Sequence, residues 1–207
     1  VNVRDLARSD SYILRPRDFD DPNAGQAFSQ FEERGVLLRV WRGAYVLVPE
    51  ASRRVGTPWR PPIERVALGL ASVVHGVNRV ALIGPSAARV HGCLPRSLPR
   101  AMASYPSTRT RRVKTIVGTV ELYARSIERM DVVRFNSDLG NGMVTGVEMT
   151  MLDLVSGAAK WSIEDSDLAE AVRLLAVQSN WQVAEKVAMR YRRTTALKSL
   201  SKFGVER

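Results

Sequence analysis

Between Asp18 and Val48, DFDDPNAGQAFSQFEERGVLLRVWRGAYVLV, the apolar period switches from that of a helix to that of a strand within a few residues. This switch narrows the folds open to the chain more than any other feature. Ala24, Ala27, Phe28 and Phe31 fall at i, i+3, i+4 and i+7, one face of a helix. Asp21 is a suitable N-cap, Pro22 suits the first helical turn, and Gly35 fits the left-handed position that closes a helix. Beyond Gly35, Leu38 and Val40 alternate with Arg39 and Trp41, Arg42-Gly43 supplies a turn, and Tyr45 and Leu47 form a return strand. A helix, a glycine stop and a hairpin with arginines at its tip, in that order, read as a winged helix-turn-helix. That shape lays one helix in a DNA groove and a hairpin along the backbone. The face opposite the apolar stripe carries Asn23, Gln26 and Gln30, uncharged amides able to bond base edges. The competing reading is a generic helix and hairpin on any small domain.

The rest of the chain supports an α+β reading: the N-terminal winged helix-turn-helix, residues 1–48, is followed by a larger mixed α/β domain, residues 61–207. A first helix runs through Val3, Leu6 and Ala7, and Tyr12-Ile13-Leu14 leads into the motif. Residues 49–60 are rich in proline, arginine and small residues and read as a linker, stiff enough to orient the two units. Pro61-Pro62 opens a helix with Ile63, Val66, Ala67 and Leu70 on one face. Val80 to Ile83 reads as a strand, and Pro85 to His91 as a helix closed by Gly92. Strands are expected at Met102–Tyr105, in a hairpin across Arg112–Tyr123, at Val132–Phe135 and at Met143–Val147. Thr150 is expected to start a helix, Ser162 with Asp165 to form a capping box before a helix over Leu168–Leu175, and Asn180 to cap the last helix.

The formal net charge of +10 is unevenly spread. Residues 1–60 carry 10 basic and 8 acidic side chains, residues 96–129 carry 8 and 2, residues 130–182 carry 3 and 8, and residues 183–207 carry 7 and 2. Most of the excess lies outside the winged helix, so polyanion or partner contact is expected from Arg109, Arg111, Arg112 and Lys114, and from a basic face of the last helix at Lys186, Arg190 and Arg193. Solubility alone is the competing account of either segment. The acids Glu164, Asp165, Asp167 and Glu170 fall at a helix start, where the macrodipole favours them; contact with a basic partner is the second reading.

No catalytic constellation appears: there is no GxxxxGK[ST], no GxGxxG after a strand, no HExxH and no GxSxG. His91 and Cys93 are sequence neighbours and do not make a nucleophile–base pair. The single cysteine excludes an internal disulfide, and Cys93 with His75 and His91 falls short of a structural zinc set, so Cys93 reads as a core residue. Neither a metal nor another cofactor is expected, nor an enzyme. No apolar run approaches a membrane span and no charged-then-apolar leader is seen, so a soluble cytoplasmic protein without membrane contact is expected.

The blocks RGVLLRVWRGAYVLV, ALIGPSAARVHGCLP and VTGVEMTMLDLV, in this order, resemble the AbiEi-type antitoxins of bacterial type IV toxin–antitoxin operons, mycobacterial members in particular. The shared marks are the wing, the block with Ser86, Ala87, His91 and Gly92, and the helix with Thr150, Leu152 and Asp153. The resemblance implies an N-terminal winged helix that represses its own operon at inverted repeats. It also implies a C-terminal domain needed for antitoxin activity, and a cognate nucleotidyltransferase-like toxin countered directly or indirectly. Where that family often has ERTLLD, this chain has Glu148-Met149-Thr150-Met151-Leu152-Asp153, with Met149 in place of arginine. Some relatives append a nuclease-like domain; the 207 residues carry no convincing PD-(D/E)xK pattern.

Under this reading Asn23, Gln26 and Gln30 read bases, Arg39 and Arg42 hold phosphate or the minor groove, and Arg15 and Arg17 anchor the start of the motif's second helix on the backbone. The alternative is a winged-helix transcription regulator whose second domain senses a ligand. A nucleic-acid enzyme is a third reading, against which the lack of a clustered acid and lysine motif speaks.

Overall fold

The structure, a computed structural model, describes residues 1–8, 11–55 and 58–205. The N-terminal unit begins with α1 (Val3–Arg8), followed by a bridge in which Leu14 and Tyr45 exchange backbone hydrogen bonds of 2.8 and 2.9 Å. A single 3-10 turn, Pro16–Asp18, lies between this bridge and the helix that carries the apolar stripe. Pro16 opens it, and Asp20, Asp21 and Pro22, poor residues for a helix interior, keep it from extending. Then come α2 (Ala24–Glu33), β1 (Leu37–Trp41) and β2 (Ala44–Leu47). This order fits a winged helix-turn-helix whose second helix is reduced to one turn.

The apolar stripe is as read: Ala24 and Phe28 are buried, and Ala27 and Phe31 half-buried. The Phe28 ring sits edge-on between Phe19 at 5.5 Å and Tyr45 at 5.2 Å. The helix start differs. The Asp21 carboxylate accepts the Asn23 N–H at 2.8 Å and its carbonyl accepts the Ala24 N–H at 3.0 Å. Asp21 thus shapes the turn ahead of α2, and Asn23 takes the N-cap position. At the other end the Gly35 N–H bonds Glu32 O at 3.0 Å and the Val36 N–H bonds Phe31 O at 2.8 Å, a Schellman closure with Gly35 at φ +68°.

The expected linker contains α3 (Glu50–Val55); its Gly56 and Thr57 lie outside the described residues. The larger unit follows with α4 (Ile63–His75), β3 (Ala81–Leu82), α5 (Gly84–Val90), β4 (Arg100–Tyr105), β5 (Arg111–Thr115), β6 (Gly118–Ala124), β7 (Val132–Ser137) and β8 (Gly140–Thr145). The chain continues through α6 (Val147–Ser156), α7 (Ala158–Trp161), α8 (Asp165–Gln178), α9 (Trp181–Arg190) and α10 (Thr194–Lys198). The six strands run in the order β5-β6-β4-β3-β8-β7, with β6/β4 and β3/β8 parallel and the other pairs antiparallel. The central strands are buried on both faces. Ala81 and Met102 face a core shared with α5, α6, α8 and α9, while Leu82, Ala101, Ala103 and Tyr105 face α4.

Three local expectations change. Val147 opens α6 instead of ending a strand, and Thr150 sits inside the first turn, where its hydroxyl donates back to Thr145 O at 3.0 Å. Ser162 and Asp165 form no capping box: Ser162 closes α7 in the left-handed region at φ 50°, and Glu164 precedes α8 as its N-cap. Asn180 does cap α9, accepting the Val183 N–H at 3.2 Å. That helix, however, ends at Arg190, and Arg192 at φ 57° turns the chain before Arg193.

The hairpin joins the two units because it packs on both of its faces. Leu37 and Tyr45 lie in the core beneath α2, and Val40, Ala44 and Val46 lie in the core shared with α4 and the sheet. A register shift between Arg39 and Trp41 interrupts the alternation read from the sequence, and Val40 O accepts the Ile116 N–H at 3.1 Å. Next to it, Ile13 lies on α4 at Gly69, where an added Cβ would meet the Ile13 Cγ1 at 2.5 Å. Only glycine leaves room here for the Ile13 side chain against the backbone of α4.

Candidate nucleic-acid interface

The outer face of α2 exposes Asn23, Gln26 and Gln30, as the helical period requires once Ala24 and Phe28 are buried. The four arginines expected to contact DNA differ in their partners. Arg15 grips the Asp18 carboxylate with Nε at 2.8 Å and Nη2 at 2.6 Å. Arg39 on β1 reaches Glu32 on α2 at 2.6 Å and lies over the Tyr45 ring at 5.3 Å, bracing the hairpin to the helix. Arg17, in the 3-10 turn, and Arg42, at the hairpin tip, are exposed and form no ion pair among the described residues. Beside Arg42, Trp41 is 46% exposed.

The 3-10 turn, the hairpin tip, α4 and the β5–β6 pair enclose a cleft of about 520 Å³. Arg15, Arg17, Arg42 and Arg111 line it, and Leu70, Val73, Val74, Val113 and Leu122 form its apolar walls. Nearby, the His75 ring stands edge-on to Tyr105 at 5.1 Å. Burial first, then the charges of Arg79 and Arg111, hold this imidazole below its ordinary range.

Of the remaining basic residues expected to contact a polyanion or partner, Arg111 alone lines this cleft. The alternation of β5 sends Arg112 and Lys114 to the opposite face, where Arg112 pairs with Glu121 at 3.0 Å. Arg109 is exposed in the preceding loop, its carbonyl accepting from the Tyr105 hydroxyl. Lys186 and Arg190 are exposed on α9, which packs on the other side of the sheet from α4. Arg193 leaves that basic face: its guanidinium reaches Asp153 at 3.0 Å.

The blocks around Ser86 and Asp153 form a buried polar framework. Ser86 Oγ accepts the Met102 N–H at 2.9 Å, and His91 Nε2 meets Thr145 O at 2.7 Å. Asp153, 2% exposed, accepts from Arg125 at 2.6 Å and from Arg193, and its carbonyl accepts from Trp161 Nε1 at 3.0 Å. Met149 is fully buried beneath Arg125, so its position carries packing and no charge. Cys93 is buried as expected; burial pushes its thiol up, and Gln178 Nε2 donates to the sulfur at 3.2 Å. The acids of α8 lie in its opening turns, with Asp167 at 3.5 Å from Arg96. Among the described residues, no group of three or more His, Cys, Asp or Glu is placed to hold a metal ion, and no helix is long and apolar enough to cross a membrane.

The cleft has no signature within any single element of the sequence. Leu70, Val73 and Val74 at i, i+3 and i+4 form a second apolar stripe on α4 that the pattern did contain. The pairing of Arg111 with the hairpin tip had no local signal, because it depends on where β5 lies in the sheet.

No family model and no curated protein sequence matches the chain. The crystal structure of the RV2827C protein from Mycobacterium tuberculosis is similar, with a TM-score of 0.62 at 16% sequence identity, over 98% of this chain and 75% of that one. The mixed α/β fold described above is thus shared with a mycobacterial protein along nearly the whole of this chain.

Proposed function

We propose that this chain binds double-stranded DNA and represses its own operon by occupying inverted repeats in the promoter. In this role it is the antitoxin that counters a nucleotidyltransferase-like toxin encoded beside it, in the cytoplasm. One observation carries the DNA-binding half: α2 exposes an uncharged amide face, and the adjoining turn and hairpin tip hold Arg17 and Arg42 exposed and without ion pairs among the described residues. Amides at the outer face of a helix supply base-edge bonds, and unpaired guanidiniums beside them supply phosphate contacts. The antitoxin half rests on the ordered blocks shared with AbiEi-type antitoxins, and the toxin is its expected partner.

The test titrates the protein against DNA from upstream of its own gene and against shuffled DNA of equal composition. Selective binding that Gln26→Ala/Gln30→Ala converts to equal binding of both DNAs is the expected result. Each lost base contact costs about 1–3 kcal/mol of discrimination. Equal affinity of the unaltered protein for both DNAs overturns the repressor reading. Co-expression with the neighbouring gene tests the antitoxin half, which fails if the chain does not relieve that gene's toxicity.

A second reading, a regulator that senses a ligand, is favoured by the cleft at the junction of the two units.

A further inference from the structure

We propose that the cleft between the hairpin tip, α4 and β5 binds a small amphipathic anion: an aromatic or aliphatic body carrying one carboxylate, sulfonate or phosphate. Its volume of about 520 Å³ falls within the range of about 300–1,000 Å³ usual for small-molecule sites. Its walls divide by chemistry. Leu70, Val74, Val113 and Leu122 offer apolar surface, and Arg17, Arg42 and Arg111 offer three exposed guanidiniums without ion pairs among the described residues. The fourth arginine, Arg15, already holds Asp18, and among the described residues no carboxylate lines the cleft.

This composition selects the occupant. A neutral apolar molecule leaves the guanidiniums without counter-charge, and inorganic phosphate leaves the apolar walls wet. A duplex backbone, polar along its length, gains nothing from Val74 or Leu122. A molecule with both features satisfies both halves, gaining charge-assisted bonds at one end and buried apolar area at the other.

The walls come from both units, so an occupant touches the turn before α2, the hairpin tip and the edge of the sheet at once. If the proposed function holds, it competes with DNA for Arg17 and Arg42. That consequence rests on the repressor reading; binding itself does not.

The probe is 1-anilinonaphthalene-8-sulfonate, with N-phenyl-1-naphthylamine as the same ring system without the anion. Both are titrated into the full chain and followed by fluorescence. Two substitutions test the site without touching Asn23, Gln26, Gln30, Arg17 or Arg42. Arg111→Gln removes one guanidinium, and Val74→Glu places a negative charge at a position that is 65% exposed and tolerates it. Val74→Gln is the uncharged control of equal size.

The expected result is saturable binding of the sulfonate, weakened about tenfold by Arg111→Gln, the loss of one charge-assisted bond. Val74→Glu weakens it at least as much, Val74→Gln leaves it in place, and the naphthylamine responds to none of the three. Sulfonate binding that Arg111→Gln and Val74→Glu leave unchanged places the probe elsewhere and overturns the proposal, as does failure to bind. Selective DNA binding is measured separately, so loss of either reading is seen independently of the other.

Discussion

On one side of the sheet Arg125 and Arg193 converge on Asp153, which is 2% exposed. On the other side Arg17, Arg42 and Arg111 converge on a cleft that, among the described residues, no carboxylate lines. Arg111 and Arg125 even come from the same basic stretch, residues 96–129. A carboxylate buried among arginines fixes them as struts of the fold, because separating the charges strands one of them away from water. Without such a carboxylate the same side chains keep their charge and donors for an outside anion.

The sharpest way to break this comparison is Asp153→Ala, which leaves Arg125 and Arg193 facing each other uncompensated. A loss of about 3 kcal/mol in urea unfolding is expected, the lower end for a broken buried pair, because both arginines keep partial access to water. A loss below about 1 kcal/mol would assign this cluster to the available kind as well.

Gly69→Ala tests the seam on which the cleft depends. In an open helix interior, alanine stabilises over glycine by about 1 kcal/mol. Here its Cβ would meet the Ile13 Cγ1 at 2.5 Å, so destabilisation is expected instead. Overpacking of this kind costs about 1–3 kcal/mol. The sign of the change in unfolding midpoint decides between the two, and a stabilised variant would show that the units are not held this tightly.

What the sequence made legible follows this division. The stripe from Ala24 to Phe31, the Gly35 closure, the Arg42-Gly43 turn and the Asn180 cap are local, each set by residues a few positions apart. The fate of each arginine is not local. Arg193 was placed on a basic helix face because the i, i+4, i+7 spacing continues through it, and Arg192 at φ 57° ends that face one turn early. Thr150 reads as a helix start, yet it lies inside α6, where its hydroxyl donates to the Thr145 carbonyl at the end of β8. The cleft needs β5 beside the hairpin, a consequence of sheet order that no periodicity encodes.

For the unpaired cluster, Arg17→Ala/Arg42→Ala should lower the slope of log affinity against log salt by about two, one per lost phosphate contact. Folding stability should stay within about 0.5 kcal/mol, as for surface positions without structural partners. An unchanged salt slope would remove both residues from the DNA contact and leave them to the cleft alone.

Arg39 is the smallest case and the most discriminating, because it combines both behaviours. It was expected to hold phosphate or the minor groove, yet it is bound to Glu32 and stacked on Tyr45. The pair is exposed, with side chains at 48% and 34%, so losing it should cost under about 1 kcal/mol. Glu32→Gln separates the roles: it keeps the shape of the contact and frees the arginine from its counter-charge. If Arg39 is a strut, as its partners indicate, Arg39→Ala leaves the salt slope unchanged, and Glu32→Gln raises it by about one as a guanidinium becomes available to phosphate. If Arg39 exchanges Glu32 for phosphate whenever DNA binds, Arg39→Ala lowers the slope by about one and Glu32→Gln strengthens binding without steepening it. In the first outcome a surface carboxylate holds an arginine in place as Asp153 does in the core. In the second, burial is what separates the two clusters, and pairing alone is not.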